Sequence, residues 1–243
     1  MSSLFQKILL FSLIPVFTMI AGGVIAIIKK PTGNMRSLIL HFAAGVVFSV
    51  VGVEILPDLI KFHSPVHTII GFTLGFLTMM AVRKFMEGNA EKKKNAMTGK
   101  LPFSLLVAVA VDIFVDGLLL GIGFSAGKSE GMLLAFALSA ELLSLGMATA
   151  SDLNEKKIGV KKSIITISIL SFLFFVSAVL GGSLLKHVSH TIHDIILSFG
   201  IAALLFLVTE ELLVEAHEER ETIWHTSAFF GGFLLFLILG MYV

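Results

Sequence analysis

The chain has 243 residues, 56% of them hydrophobic and 14% charged, with a formal net charge of +1. A soluble domain carries about 25% charged residues, so a water-soluble globule is excluded and an integral membrane protein indicated. The near-neutral balance gives no reason to expect a nucleic-acid partner, and the absence of cysteine excludes disulfides and thiolate metal ligands.

Near the N-terminus Lys7 precedes an apolar run in the manner of a signal peptide. No small-residue cleavage signature follows and further apolar runs come at once, so the run reads as a first span. Apolar stretches fall at 8–28, 36–60, 66–84, 102–125, 131–152, 163–185, 194–215 and 226–243. Each is near the ~20 residues a helix needs to cross a bilayer. The expected fold class is therefore an all-α integral membrane protein, a single domain over 1–243 with eight transmembrane helices. One Trp and one Tyr stand against 22 Phe, so the usual interfacial belt of Trp and Tyr is almost missing.

Orientation follows from Lys and Arg in the loops. With the N-terminus outside, the inner loops hold Lys29, Lys30, Arg36, Arg83, Lys84, Lys92, Lys93, Lys94, Lys100, Lys156, Lys157, Lys161, Lys162 and Arg220. The outer side keeps only Lys7, Lys61, Lys128 and Lys186. Both termini are thus expected to be extracytoplasmic, in the plasma (cytoplasmic) membrane. The longest loop, 85–101, contains Glu91-Lys92-Lys93-Lys94-Asn95 and is expected inside, as a solvated topology signal or a contact for anionic lipid.

In chain order, the second span ends in Val51-Gly52-Val53-Glu54-Ile55-Leu56-Pro57-Asp58-Leu59. Pro57 removes an intrahelical hydrogen bond and is expected to loosen that end. Spans four and five hold the anomaly of the sequence. Asp112 and Asp116 are the only charges in one apolar run, and Glu141 is the only charge from Met132 to Ser151 in the next. Each costs about 3 kcal/mol on an insertion scale, and such residues face a bundle interior or an aqueous path. Asp112 and Asp116, four apart, share a helix face. Two carboxylates held close in a low dielectric repel, a penalty that either a divalent cation or a proton removes. No Lys, Arg or His lies in spans four or five to pair with them. Ser144, three residues past Glu141, can complete an oxygen-rich site, and Gly117 with Gly121 permits close helix approach beside it.

The seventh span ends in Val208-Thr209-Glu210-Glu211-Leu212-Leu213-Val214-Glu215-Ala216. Laid over the end of span two, it matches Glu54 with Glu211 and Asp58 with Glu215. Under the expected topology the two run in opposite directions, the mark of inverted repeats with a site near the midplane. Glu54 and Asp58 then approach the outer face, and Glu210, Glu211 and Glu215 the inner one, as an entrance and an exit. His63, His67, His187, His190 and His193 fall in two outer loops, where imidazole would suit loose capture of a transition metal. They serve equally well as ordinary interfacial histidines.

At these residues the chain resembles the ZIP (Zrt-, Irt-like) family of divalent metal transporters. Asp116-Gly117-Leu118-Leu119-Leu120-Gly121 looks like the end of the family's fourth-span signature, His-Asn-x-x-Asp/Glu-Gly. Glu54-Ile55-Leu56-Pro57-Asp58 looks like its second-span element, and Glu210-Glu211-Leu212-Leu213-Val214-Glu215-Ala216 is similar to its seventh-span one. The resemblance covers essentially the whole chain. It implies a 3+2+3 bundle with metal bound between spans four and five, by Asp112, Asp116, Glu141 and Ser144. It departs from the family where Asp112 stands for His, Ile113 for Asn, and Ala140-Glu141 opens a fifth-span motif without His. Span six has no carboxylate, so the second metal position of some members is not expected.

The sequence thus leads to a carrier of divalent cations into the cytoplasm. No fixed cofactor is expected, because a zinc, manganese, iron or similar ion would be cargo. Oxygen ligands without imidazole favour harder ions such as Mn²⁺ over Zn²⁺. No His-Glu-x-x-His motif lies in a span, so an enzyme is not expected. The alternatives are a proton-linked carrier of a small solute and a transport-dead metal sensor. The sequence permits a homodimer without requiring one.

Overall fold

The computed structural model describes residues 3–29, 32–61, 64–91, 103–184 and 190–242, and every regular element among them is helical. In order these are α1 (Ser3–Ile28), α2 (Gly33–Ser49), a π-helical segment (Val50–Ile55), α3 (Leu56–Lys61), α4 (Pro65–Glu91), α5 (Phe103–Ala126) and α6 (Lys128–Glu155). Then follow α7 (Val160–Leu184), α8 (His190–Phe206), a second π segment (Leu207–Leu212), α9 (Leu213–Ala216) and α10 (Ile223–Gly240). Among the described residues, seven helices are long and apolar enough to cross a membrane: Phe5–Ile28, Gly33–Val53, Pro65–Lys84, Gly131–Glu155, Val160–Ser183, Thr191–Ala216 and Ile223–Gly240. The protein is a multi-pass, all-helical membrane protein.

Local chemistry sets the ends of these helices. The Thr32 side chain accepts the Met35 amide at 3.3 Å to open α2, and Pro65 opens α4, where a missing N–H costs nothing. Lys157 takes a left-handed conformation (φ 56°) just beyond α6, which stops that helix before α7 begins. Helix α4 runs to Glu91, into the stretch expected to be loop, because Met86-Glu87-Gly88-Asn89-Ala90-Glu91 contains good helix formers and no proline. The rest of the expected loop, from 92, lies outside the described residues.

Burial separates inner helices from outer ones. In the apolar windows of α6, α2 and α8, 67%, 61% and 61% of residues are buried, against 17% in α4 and α10. The outer helices turn Ile69, Leu77, Phe230 and Leu234 outwards, an apolar surface that suits lipid rather than water. The pairing is regular. Helix α1 packs along α6 and α7 along α5, while α10 lies on α2 and α4 on α8. Glycines allow these approaches. A Cβ at Gly121 would meet the Gly182 amide and Ala178 carbonyl of α7, and one at Gly75 would meet Phe199 and Ala202 of α8.

The two π segments are the unforeseen elements. Laying Val51 over Val208 places Val50–Ile55 end to end on Leu207–Leu212, six residues each. The same overlay places α2 on α8, 17 residues each. Pro57 falls opposite Val214, so proline is not what produces the π turns, since the second forms without one. Each π turn carries acidic motif residues, Glu54 in the first and Glu210 and Glu211 in the second.

Candidate functional site

The acids of α5 and α6 meet in the interior. Asp116 is 1% exposed, Glu141 5% and Ser144 1%, all on faces turned away from lipid. Asp116 lies within electrostatic reach of both Glu141 and Asp112, and Glu141 within reach of Asp112. The spacing of four puts Asp112 and Asp116 on one side of α5, as the sequence implies, and α6 brings Glu141 to the same level. Asp116 Oδ2, Glu141 Oε2 and Ser144 Oγ are buried and have no hydrogen-bond partner among the described residues. Buried oxygens in this condition cost about 1–3 kcal/mol each, more when charged, so their clustering calls for a partner.

A fourth acid joins them. Glu211, expected toward the inner exit, is hydrogen-bonded through its side chain to Asp112 and lies within reach of Asp116 and Glu141. Two carboxyl groups share such a bond only when one of them holds a proton. The neighbouring Glu210 points elsewhere, into an ion pair with Arg83 of α4. That pair lines a groove of about 540 Å³ with Phe76, Met80, Lys84 and Phe206. Glu215 pairs with Arg36 near the start of α2. Of the three seventh-span acids, then, one reaches the centre and two meet arginines.

The remaining expected residues fall less compactly. Glu54 lies in the first π segment and Asp58 in α3, but their side chains are outside the described residues. His63 and His187 are outside them as well. His67 and His193, expected in loops, sit in the first turns of α4 and α8, and His190 opens α8. Helix α8 begins four residues before the apolar run expected at 194–215, whereas α4 begins within one residue of the run at 66–84, which already took in His67. His67 Nδ1 stands 3.9 Å from Asp194 Oδ2, an ion-pair distance too long for a hydrogen bond. Asp194, 6% exposed, escaped the sequence reading because it adjoins a run of polar residues at a span end.

Chemically, the centre offers carboxylate and hydroxyl oxygens from α5, α6 and the second π segment. Such a donor set suits a hard divalent cation or exchangeable protons. No protein-family model matches the sequence, and no curated protein matches it either.

Proposed function

We propose that the chain is a ZIP-like carrier that moves divalent cations into the cytoplasm through the carboxylate centre. The observation that carries this reading is the convergence of Asp112, Asp116, Glu141 and Glu211, with Asp116 Oδ2 and Glu141 Oε2 buried and without a hydrogen-bond partner among the described residues. A cation among them would offset repulsion and desolvation together.

In this reading all eight long helical segments span the membrane in a 3+2+3 order, α5 and α6 being the central pair. Two features support inverted repeats. One is the matched helix–π–helix build of the second and seventh spans. The other is the packing, which is preserved when the first three spans are exchanged with the last three and α5 with α6. Metal enters past Glu54 and Asp58, binds Asp112, Asp116 and Glu141 with Ser144, and leaves by way of Glu211 and Glu215. Rocking of one repeat against the other supplies alternating access. The termini are extracytoplasmic and the membrane is the plasma membrane.

The test is uptake into liposomes carrying a fluorescent metal indicator. Asp116→Ala is expected to abolish uptake while leaving expression and melting temperature near wild type; full uptake in that variant refutes the assignment. With several metals offered together, manganese is expected to compete well with zinc, and a large preference for zinc counts against an all-oxygen site.

The Asp112–Glu211 contact favours a second reading, a proton-linked carrier of a small solute, since two carboxyl groups that close can share a proton. It predicts proton flux that needs a solute and no metal, which the same liposomes measure with an internal pH dye.

A further inference from the structure

A second cluster lies between the middle of α2 and the connection from α9 to α10. His41, His217 and Glu221 each offer a ligand atom there, and these atoms all lie within 4.8 Å of one another. His41 is 4% exposed, whereas His217 and Glu221 face water, with 45% and 58% of their side-chain surfaces exposed. The cluster is thus anchored inside and open at its rim. It belongs to different elements from the carboxylate centre and does not rest on the transport reading.

The hydrogen bonds fix which nitrogen of His41 is available. Nδ1 lies 2.8 Å from the Ser37 carbonyl and 3.3 Å from the Ser37 hydroxyl. That hydroxyl has one hydrogen, which it donates to the Ala216 carbonyl at 2.7 Å. A carbonyl only accepts, so Nδ1 must donate to it, and the lone pair is left on Nε2. A histidine whose other nitrogen donates to a backbone carbonyl is oriented as metal-ligating histidines are. His217 Nε2 meets Glu221 Oε1 at 2.5 Å, four residues apart in the connection between α9 and α10, close enough for one cation to take a ligand from each.

His225 forms the wall behind. It is fully buried, and its ring stacks on His41 with centroids 5.3 Å apart and planes 18° from parallel. The Thr222 amide donates to its Nδ1 at 3.0 Å, which puts the hydrogen of the neutral ring on Nε2. That Nε2 is buried without a partner among the described residues.

We propose that His41, His217 and Glu221 form a binding site for zinc or another late first-row divalent metal, with an open position for water. Two imidazoles and one carboxylate make a donor set for such ions, distinct from the all-oxygen centre. Bound metal joins α2 to the α9–α10 connection, one turn from the Arg36–Glu215 pair, and so clasps one end of the helix bundle.

The experiment uses the full chain purified in detergent, with Co²⁺ as the probe. Wild type is expected to give the intense visible absorption of four-coordinate cobalt, bleached when Zn²⁺ is added. His217→Ala and Glu221→Gln, both on exposed side chains, are expected to lose the band and one equivalent of bound metal. Asp116→Asn is expected to keep the band. His41→Gln is expected to lose it too, with a melting temperature recorded to separate loss of a ligand from loss of fold. A band that survives His217→Ala and Glu221→Gln, or that disappears with Asp116→Asn alone, overturns the proposal.

Discussion

At the scale of single residues, the role of Glu211 follows from its two neighbours. Its carboxyl shares a hydrogen bond with Asp112, while Arg83 stands within electrostatic reach on the other side. Glu211→Gln keeps the shape and a hydrogen bond but removes a charge. Its uptake of divalent cation is expected to fall at least about tenfold, a rise of ~1.4 kcal/mol in the barrier, with folding intact. Uptake unchanged by this variant would return Glu211 to a structural role. Asp112, Asp116 and Glu141 were legible in the sequence because a charge inside an apolar run has few explanations. Glu211 was legible as an acid but not as a member of the centre. Consecutive residues on a helix point about 100° apart, so the choice between Glu210 and Glu211 depends on the local winding. The His41 cluster was invisible for another reason. Its members come from two distant segments, and nothing in either reveals that Ser37 touches Ala216.

Elements explain what the residues could not. A π turn takes up one extra residue by widening the helix locally, and such turns are frequent at functional sites. In the second π segment Thr209 is exposed and its hydroxyl returns to the Leu205 carbonyl at 2.9 Å, so it can be removed without opening the core. Deleting Thr209 should remove the extra residue and restore α-helical winding, which abolishes the wide π turn while leaving Glu211 facing the centre. Helix content by circular dichroism is expected to be unchanged and uptake lost; retained uptake would show that the π turn is dispensable. Helix approach gives a second prediction. At Gly121 an added side chain meets backbone atoms of Gly182 and Ala178, which cannot rotate aside. Gly121→Val is therefore expected to cost about 1–3 kcal/mol, read as a lower thermal midpoint in detergent. The seven helices long and apolar enough to cross a membrane were legible in the sequence because apolar length is a strong signal. The π turns were not, since neither Pro57 nor any motif marks both of them.

For the whole molecule, hydropathy and loop charge make a claim about sidedness that can be checked directly. The chain has no cysteine, so single introduced thiols label without background. Lys128→Cys at the start of α6 is expected to react with an impermeant maleimide on intact cells. Asn154→Cys near the end of the same helix is expected to react only after permeabilisation. The reverse pattern would invert the proposed carrier and exchange its proposed entrance with its exit. Composition announced the membrane because 14% charge cannot cover a soluble surface. Which helix lies inside was less legible, since α4 and α6 both meet the apolar criterion and differ only in what they pack against.

The scarcity of large aromatics other than phenylalanine has an optical consequence. Trp224, the chain's single indole, is 70% exposed and directly precedes His225. All tryptophan emission therefore originates at one end of α10, beside the His41 cluster. A paramagnetic ion seated there would quench it, whereas events at the carboxylate centre would reach it only through the intervening helices. The protein carries a built-in fluorophore for one of its two candidate metal sites.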